Sequence, residues 1–542
     1  MKIQSIYISK YKNIPEKEIF FNTDLTSLII GQNGLGKSNL LEAITLIFVA
    51  ISGADEYLNL SNFDGRYFSF KLNYILRGKK INIIYGFENQ YQIRIDDENY
   101  FIKEDHYYNK KAIQKISKDL IPDYFVAYYS GQNKRLEKIL KKFEDDYFSG
   151  LRKNTENSEL TSRRKFLYLK NYHSPILLLT LSIFKNFKHE EEKIYEDQIL
   201  NLFSQLNIKS LETFSLSIKS PEWISKAYRS DLTEDKKLEL GFVTHIHTTI
   251  GHKEKYPFPF WGLKSSLNIF LKCLTESVDI LPYSNEDEIS KQSSFQEFIE
   301  FNDIVIEDFQ KEVFKHFKSP LELFYTIEAL GLLNIVNFEE DLKFEIVKDE
   351  VTNLTFDLLS EGENQLLLVL GIVLITGIEE TIFILDEPDT YLNPKWQREY
   401  IQLLEDFNLE DDDSHLFVTT HSPLLVQNIE GDHEYNYDLI LLSRNDNDEV
   451  EFDQDKALFK NWRIDQVLSS KYFDLLSTRP ISLDDYIKEK ELIIYNDELE
   501  LEEKETRIDL LMKRYGSLPT GESKNEIQSM LLINEVIKKF GK

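Results

Sequence analysis

The chain has 542 residues and a formal net charge of -29, with 42% apolar and 29% charged residues. This length exceeds one ordinary core and predicts two or three domains, while the acidic balance argues against broad, sequence-independent binding of nucleic acid. A single cysteine, Cys273, excludes intramolecular disulfides and paired-cysteine zinc sites. No run approaches about 20 apolar residues, and the opening MKIQSIYISKYKNI lacks a signal-peptide layout, so a cytoplasmic protein with no membrane partner is expected.

The chain opens on an alternating strand, Ile3 to Ile14, followed by the apolar, β-branched run Thr26 to Ile30. Next comes Gly31-Gln32-Asn33-Gly34-Leu35-Gly36-Lys37-Ser38-Asn39, which reads as G-x-x-x-x-G-K-S, and then a helix from Asn39 to Ala50. Glycines let such a loop curl so that its N–H groups and the helix N-terminus face phosphates. Lys37 would reach the outer phosphates of ATP, and the Ser38 hydroxyl would sit on Mg²⁺. Alternating strands follow at Phe68 to Leu76, Ile81 to Phe87 and Tyr91 to Ile95, and a buried strand at Tyr124 to Tyr129 leads into Ser130-Gly131-Gln132-Asn133.

Residues 134–350 read as an insert, compact and mostly helical, with buried helices at Ile176 to Phe187 and Leu263 to Val278. The stretch Tyr256-Pro257-Phe258-Pro259-Phe260-Trp261-Gly262 would break any continuous heptad and reads as an apolar knot. Basic clusters at Lys134-Arg135 with Lys138, Lys141 and Lys142, and at Arg163-Arg164-Lys165, read as solvated helix faces.

Beyond the insert, Leu359-Ser360-Glu361-Gly362-Glu363-Asn364-Gln365 precedes an apolar helix from Leu366 to Thr376. Thr381 to Asp386 is a buried strand ending in Asp386-Glu387-Pro388; Asp386 would hold Mg²⁺ and Glu387 would polarise an attacking water. His415 to Thr420 is another short strand, and it delivers His421 about 34 residues after Glu387. A strand from Tyr437 to Arg444 and a hairpin-like stretch to Asp455 close this part.

In order, these four motifs resemble the ATP-binding-cassette heads of transporters, chromosome-maintenance ATPases, RecF-like repair proteins and overcoming-lysogenization-defect nucleases. The resemblance implies an α/β P-loop head in two halves, residues 1–133 and 351–460, with an antiparallel β lobe and the insert between them. It also implies that Ser360, Gly362 and Glu363 complete the ATP site of a second subunit, that Leu392-Asn393-Pro394 links the sites across a dimer, and that His421 contacts the terminal phosphate. Gln132 matches the hinge glutamine that senses Mg²⁺, whereas Glu361 departs from the glycine of many members.

The opening strand and Asn39 resemble the maintenance and RecF-like branch. Ile429-Glu430-Gly431-Asp432 superficially resembles the Glu-Gly motif of the nuclease branch, but too little chain follows for that domain. Trp462 to Leu468, Ser477-Thr478-Arg479-Pro480 and Tyr128 to Gly131 resemble the ATPase subunits of Septu-type and retron-associated antiphage systems. That resemblance implies a homodimer or larger homo-oligomer beside a separate HNH nuclease, with DNA or non-coding RNA reached through the complex. The alternative is a RecF-like repair ATPase acting directly on DNA. Residues 461–542 read as a helical tail for docking or dimerisation, with capping pairs at Ser482 and Asp485, opening one long helix to Tyr515, and at Ser523 and Glu526, opening another from Ile527 to Phe540.

Overall fold

The computed structural model describes residues 1–21, 26–53, 68–86, 91–96, 98–102, 116, 118–132, 134–153, 164–185, 193–221, 260–263, 265–278, 298–348, 351–377, 379–407, 414–427, 437–445, 447–454, 462–473, 475, 480–496 and 499–515. Asn133, Arg163, residues 256–259, 429–432 and 477–479, and the segment from Ser523 to Phe540 lie outside them. The chain forms two compact units, Met1–Leu458 and Phe459–Lys542.

In the first unit, strands β1 (Lys2–Ile8) and β2 (Lys17–Phe20) precede β3 (Thr26–Gly31), the phosphate loop and helix α1 (Lys37–Ile51). Then come β4 (Phe70–Leu76), β5 (Lys79–Tyr85), β6 (Tyr91–Ile95), β7 (Glu98–Ile102) and β8 (Tyr124–Tyr129). The insert supplies α2 (Arg135–Lys153), β9 (Phe166–Tyr168), α3 (His173–Phe184), α4 (Lys193–Gln205), β10 (Ile208–Lys219), α5 (Ser265–Glu276), β11 (Phe298–Val305), α6 (Ile306–Val313), α7 (Pro320–Leu332) and β12 (Leu342–Lys348). The returning half carries β13 (Val351–Leu354), α8 (Glu361–Thr376), β14 (Thr381–Asp386), α9 (Pro394–Phe407), β15 (Ser414–Thr420), α10 (Pro423–Gln427), β16 (Tyr437–Arg444) and β17 (Val450–Asp453).

The main sheet has the order β17-β16-β3-β15-β14-β8-β9, parallel throughout except for β17. Strands from both halves therefore interleave, and β3, β14 and β15 are buried along their whole length, as parallel strands covered on both faces must be. A second, antiparallel sheet runs β2-β1-β4-β5-β6-β7. Helix α1 is buried from Leu40 to Ile51, and its side chains share one core with both sheets, which is why it is apolar all round. This is the two-lobed α/β head expected from the sequence.

The described part of the insert is mostly helical, as its sequence suggests, and it also carries strands. Strands β11-β10-β12-β13 form an antiparallel sheet, in which β12, ending at Lys348, pairs with β13, beginning at Val351. Strand β9 leaves the insert to pair with β8 at the edge of the main sheet. Phe260 and Trp261 are buried, as an apolar knot requires. Among the described residues no helix is long and apolar enough to cross a membrane.

The second unit contains α11 (Ile464–Leu468), α12 (Asp484–Ile494) and α13 (Leu501–Tyr515). Two expectations fail here. Ser482 does not cap a helix, because it lies inside a 3₁₀ turn, Ile481–Leu483, that moves the N-cap to Leu483, with no side-chain cap bond. The single long helix to Tyr515 is instead two helices, broken after Ile494, which let Tyr486, Ile494, Ile508 and Leu511 bury apolar faces that a continuous helix would leave in water.

Candidate active site

The phosphate loop follows β3 at the C-terminal edge of the main sheet, where open α/β sheets place ligands. Gly34 and Gly36 have φ of 82° and 103°, a region costly for other residues. A Cβ on Gly36 would lie 2.6 Å from the Asn13 side chain, and one on Gly31 would lie 2.7 Å from the Leu442 carbonyl oxygen. Asn13 donates to the Gly34 carbonyl at 2.8 Å and accepts from Asn39 at 2.6 Å, so the antiparallel lobe braces the loop from outside. Leu35 is buried in the core, while Asn33 points outward.

The Lys37 side chain folds back into the loop. Its Nζ donates to the Gly31 carbonyl at 2.7 Å and to that of Gln32 at 3.3 Å. Both ring nitrogens of His421 lie within reach, Nδ1 at 3.2 Å and Nε2 at 2.9 Å, and Nε2 is also 3.1 Å from Glu387 Oε1. The arrangement that satisfies all three groups has Nδ1 accept from Lys37 and Nε2–H donate to Glu387. Burial pushes the Lys37 ammonium down to about 8, although Glu387 and Asp386 pull the other way. The His421 hydrogen bond holds the Glu387 carboxyl below its ordinary value, against partial burial.

Asp386 ends β14 beside Tyr129 of β8 and Thr419 of β15. Its Oδ1 accepts from Ser38 Oγ at 3.2 Å and from Thr419 Oγ1 at 2.5 Å, and burial raises its pKa despite these bonds. One carboxylate and one hydroxyl opening on a phosphate loop fit Mg²⁺, which keeps several waters and takes its other ligands from substrate phosphates. Gln132 is exposed beyond the end of β8, and it lines a larger neighbouring cleft rather than the crevice between Ser38 and Asp386.

The Ser360 to Glu363 turn lies elsewhere. Ser360 caps α8 in a reciprocal box: its Oγ accepts from the Glu363 amide at 3.2 Å, and Glu363 Oε2 accepts from the Ser360 amide at 2.9 Å. Burial would raise the Glu363 carboxyl, but Lys348 and Ser360 hold it below its ordinary value. Gly362 has no room for a side chain, since a Cβ there would meet the Tyr391 carbonyl oxygen at 2.6 Å. The turn thus touches the loop that follows Glu387, and no hydrogen bond among the described residues joins it to Lys37.

Several contributors carry no motif of their own. Thr419 donates to Asp386, and its Oγ1 accepts from the Glu387 amide at 3.0 Å. Glu387 itself sits at φ 53°, a conformation that costs a non-glycine residue free energy and concentrates at functional sites. Asp389 is buried, accepts from Thr420 at 2.8 Å, and is pushed up to about 6 by that burial. Gln365 bridges the Tyr128 hydroxyl, at 3.1 Å, to the Tyr391 amide, at 3.0 Å. A polar residue next to Asp-Glu or to His421 was the available signal for Thr419 and Asp389; nothing local marks Gln365.

A P-loop, a histidine ending the neighbouring strand β15 and two carboxylates ending β14, the strand beyond it, define a nucleotide-binding ATPase head. The family described as "AAA domain, putative AbiEii toxin, Type IV TA system" matches residues 27–427, and the chain belongs to it. The curated "Uncharacterized protein MJ1542" of Methanocaldococcus jannaschii is 29% identical over 119 residues, 22% of this chain and 13% of that protein, so the match spans only a small part of the relative. Among solved structures, an SmcHead bound to the C-winged helix domain of ScpA aligns at 12% identity and TM-score 0.35, covering 84% of this chain and 99% of that one. The SMC head domain from Thermotoga maritima gives 11%, 0.32, 84% and 99%, and RecF-ATPrS of the RecFOR pathway gives 16%, 0.28, 81% and 95%. These superpositions are loose, and the family assignment rests on the matched residues.

Proposed function

We propose that this chain is an ATP-hydrolysing switch subunit whose heads pair on ATP and control a separate HNH nuclease in antiphage defence. The observation that carries the ATPase reading is the convergence of Lys37, Ser38, Asp386, Glu387 and His421 from segments more than 340 residues apart. In the reaction, water attacks the γ-phosphorus in line, and the P–O bond to the β-phosphate breaks. Glu387, ionised and oriented by His421, lines up the water and accepts its hydrogen bond. Lys37, once a phosphate replaces its loop carbonyls, meets the charge on the outer phosphates. Mg²⁺ held by Ser38 and Asp386 would neutralise phosphate charge.

The separation of Ser360 from the phosphate loop supports paired heads, because the exposed N-terminus of α8, with Ser360 at its cap, can face an anion on another copy. The Septu-like segments support the nuclease partner. The test is direct. Lys37→Ala should weaken binding of a fluorescent ATP analogue by about a hundredfold or more. Light scattering of the purified protein should report a larger species with ATP than without, and an HNH nuclease should co-purify with the tagged chain. A monomer at saturating ATP would remove the paired-head reading. Tight, salt-dependent binding to duplex DNA with no nuclease partner would replace the defence role by direct action on DNA.

A further inference from the structure

Beside the ATP site, a cleft of about 880 Å³ opens between the end of β8, β9 and the β12–α8 segment. That volume suits a ligand or a few side chains of a partner. Tyr128, Tyr168 and Phe344 form its buried floor, Phe356 is half-buried at its edge, and Tyr391, 49% exposed, presents the open aromatic face. Its charge is not balanced. Lys170 in the wall is already paired with Glu137 and Glu144. That leaves Glu339, Glu340, Asp357 and Glu361 against Lys134 and Lys343, and none of these six is in an ion pair among the described residues.

Aromatic faces with carboxylates at the rim are the chemistry that recognises a guanidinium or ammonium: the rings attract the cation through their quadrupole and cover its apolar stem. An anionic ligand such as a second nucleotide would meet net repulsion. The geometry points to a docking groove for an arginine- or lysine-bearing segment of a partner protein. This rests on the switch reading above and names the surface through which a partner is sensed.

The groove is wired to the catalytic loop. Gln365 links Tyr128 in the groove wall to the Tyr391 amide. Ser130 Oγ lies 2.9 Å from Thr390 Oγ1, which donates to the Glu387 carbonyl at 2.9 Å. A side chain seated against Tyr391 therefore bears on the loop that carries Glu387, and occupancy changes ATP turnover.

The probe is a short fluorescently labelled arginine–glycine repeat peptide, followed by polarisation on the full chain. Glu340→Lys with Asp357→Lys should weaken its binding about tenfold, whereas Glu18→Lys with Glu451→Lys, exposed and outside the groove, should change it less than about twofold. Saturating peptide should alter ATP turnover of the wild type and not of the groove variant. A non-hydrolysable ATP analogue should shift peptide affinity by the factor by which peptide shifts the analogue's. Equal weakening in the two double variants would mean diffuse attraction to an acidic protein and would overturn the groove. Peptide binding with no effect on nucleotide would overturn the coupling. The two readings fail separately, since polarisation scores the groove even if the chain never hydrolyses ATP, and ATP turnover stands if the peptide does not bind.

Discussion

Two clusters of charge lie inside the first unit, and they are built to opposite ends. In the insert, Arg164 and Glu328 are almost wholly buried and paired with each other, Glu144 accepts from Arg164 at 3.0 Å, and neutral His173 donates to Glu328 at 3.0 Å. Burial is the strongest single influence on Glu328 and opposes its ionisation, but Arg164 and His173 together outweigh it and hold the carboxyl low; the Arg164 guanidinium is stabilised in turn. In the ATP site the balance runs the other way: burial lowers the Lys37 ammonium and raises the Asp386 carboxyl, and Glu387 sits at a costly backbone angle. In the insert cluster each charge lies beside an opposite one, although Glu328 Oε2 has no hydrogen-bond partner among the described residues. The other has been left for a phosphate and a cation to satisfy, which is how a binding site differs from a structural joint.

Substitutions should separate the two. Glu328→Ala leaves buried Arg164 without its partner and should cost about 3–5 kcal/mol of stability, read by denaturant unfolding. Glu387→Gln should leave stability nearly unchanged while slowing phosphate release by about 10²–10³-fold. Wild-type turnover in that variant would take Glu387 out of the reaction. Gly362→Ala pushes a methyl group into the Tyr391 carbonyl and should cost about 1–3 kcal/mol, with a fall in turnover if the signature turn steers the catalytic loop. The smallest effect is in pH. With Lys37 at about 8 rather than 10.5, affinity for ATP should decline by about fivefold between pH 8 and 9, a slope lost in Lys37→Arg. Stability runs oppositely: above pH 8 the unfolded chain keeps a proton that folded Lys37 has released, so this residue's contribution rises with pH.

The head was legible because its chemistry is written in short runs. Gly31 to Ser38 demands a curled backbone, and Thr381 to Glu387 shows a fully apolar strand ending in acids. What escaped depends on partners distant in sequence. Thr419 matters only because β15 lies beside β14, and the insert's sheet brings β10 against β11 and β12 from about 80 and 130 residues away. The strain at Glu387 leaves no trace in residue type. In the second unit, the Ser482 and Asp485 spacing suited a cap, but local preference yielded to the burial of Ile494 and Ile508.

The strand order carries a consequence for how the protein is made. Strand β3, which leads into the phosphate loop, has β15 and β16 as its only neighbours in the sheet, and they are synthesised nearly 390 and more than 400 residues later. A ribosome that has passed the phosphate loop has made a sequence able to recognise ATP but not yet a place to hold it. The newborn chain stays blind to nucleotide until residues near Arg444 emerge, and until then the apolar run Thr26 to Ile30 must be sheltered or kept from pairing with a neighbour.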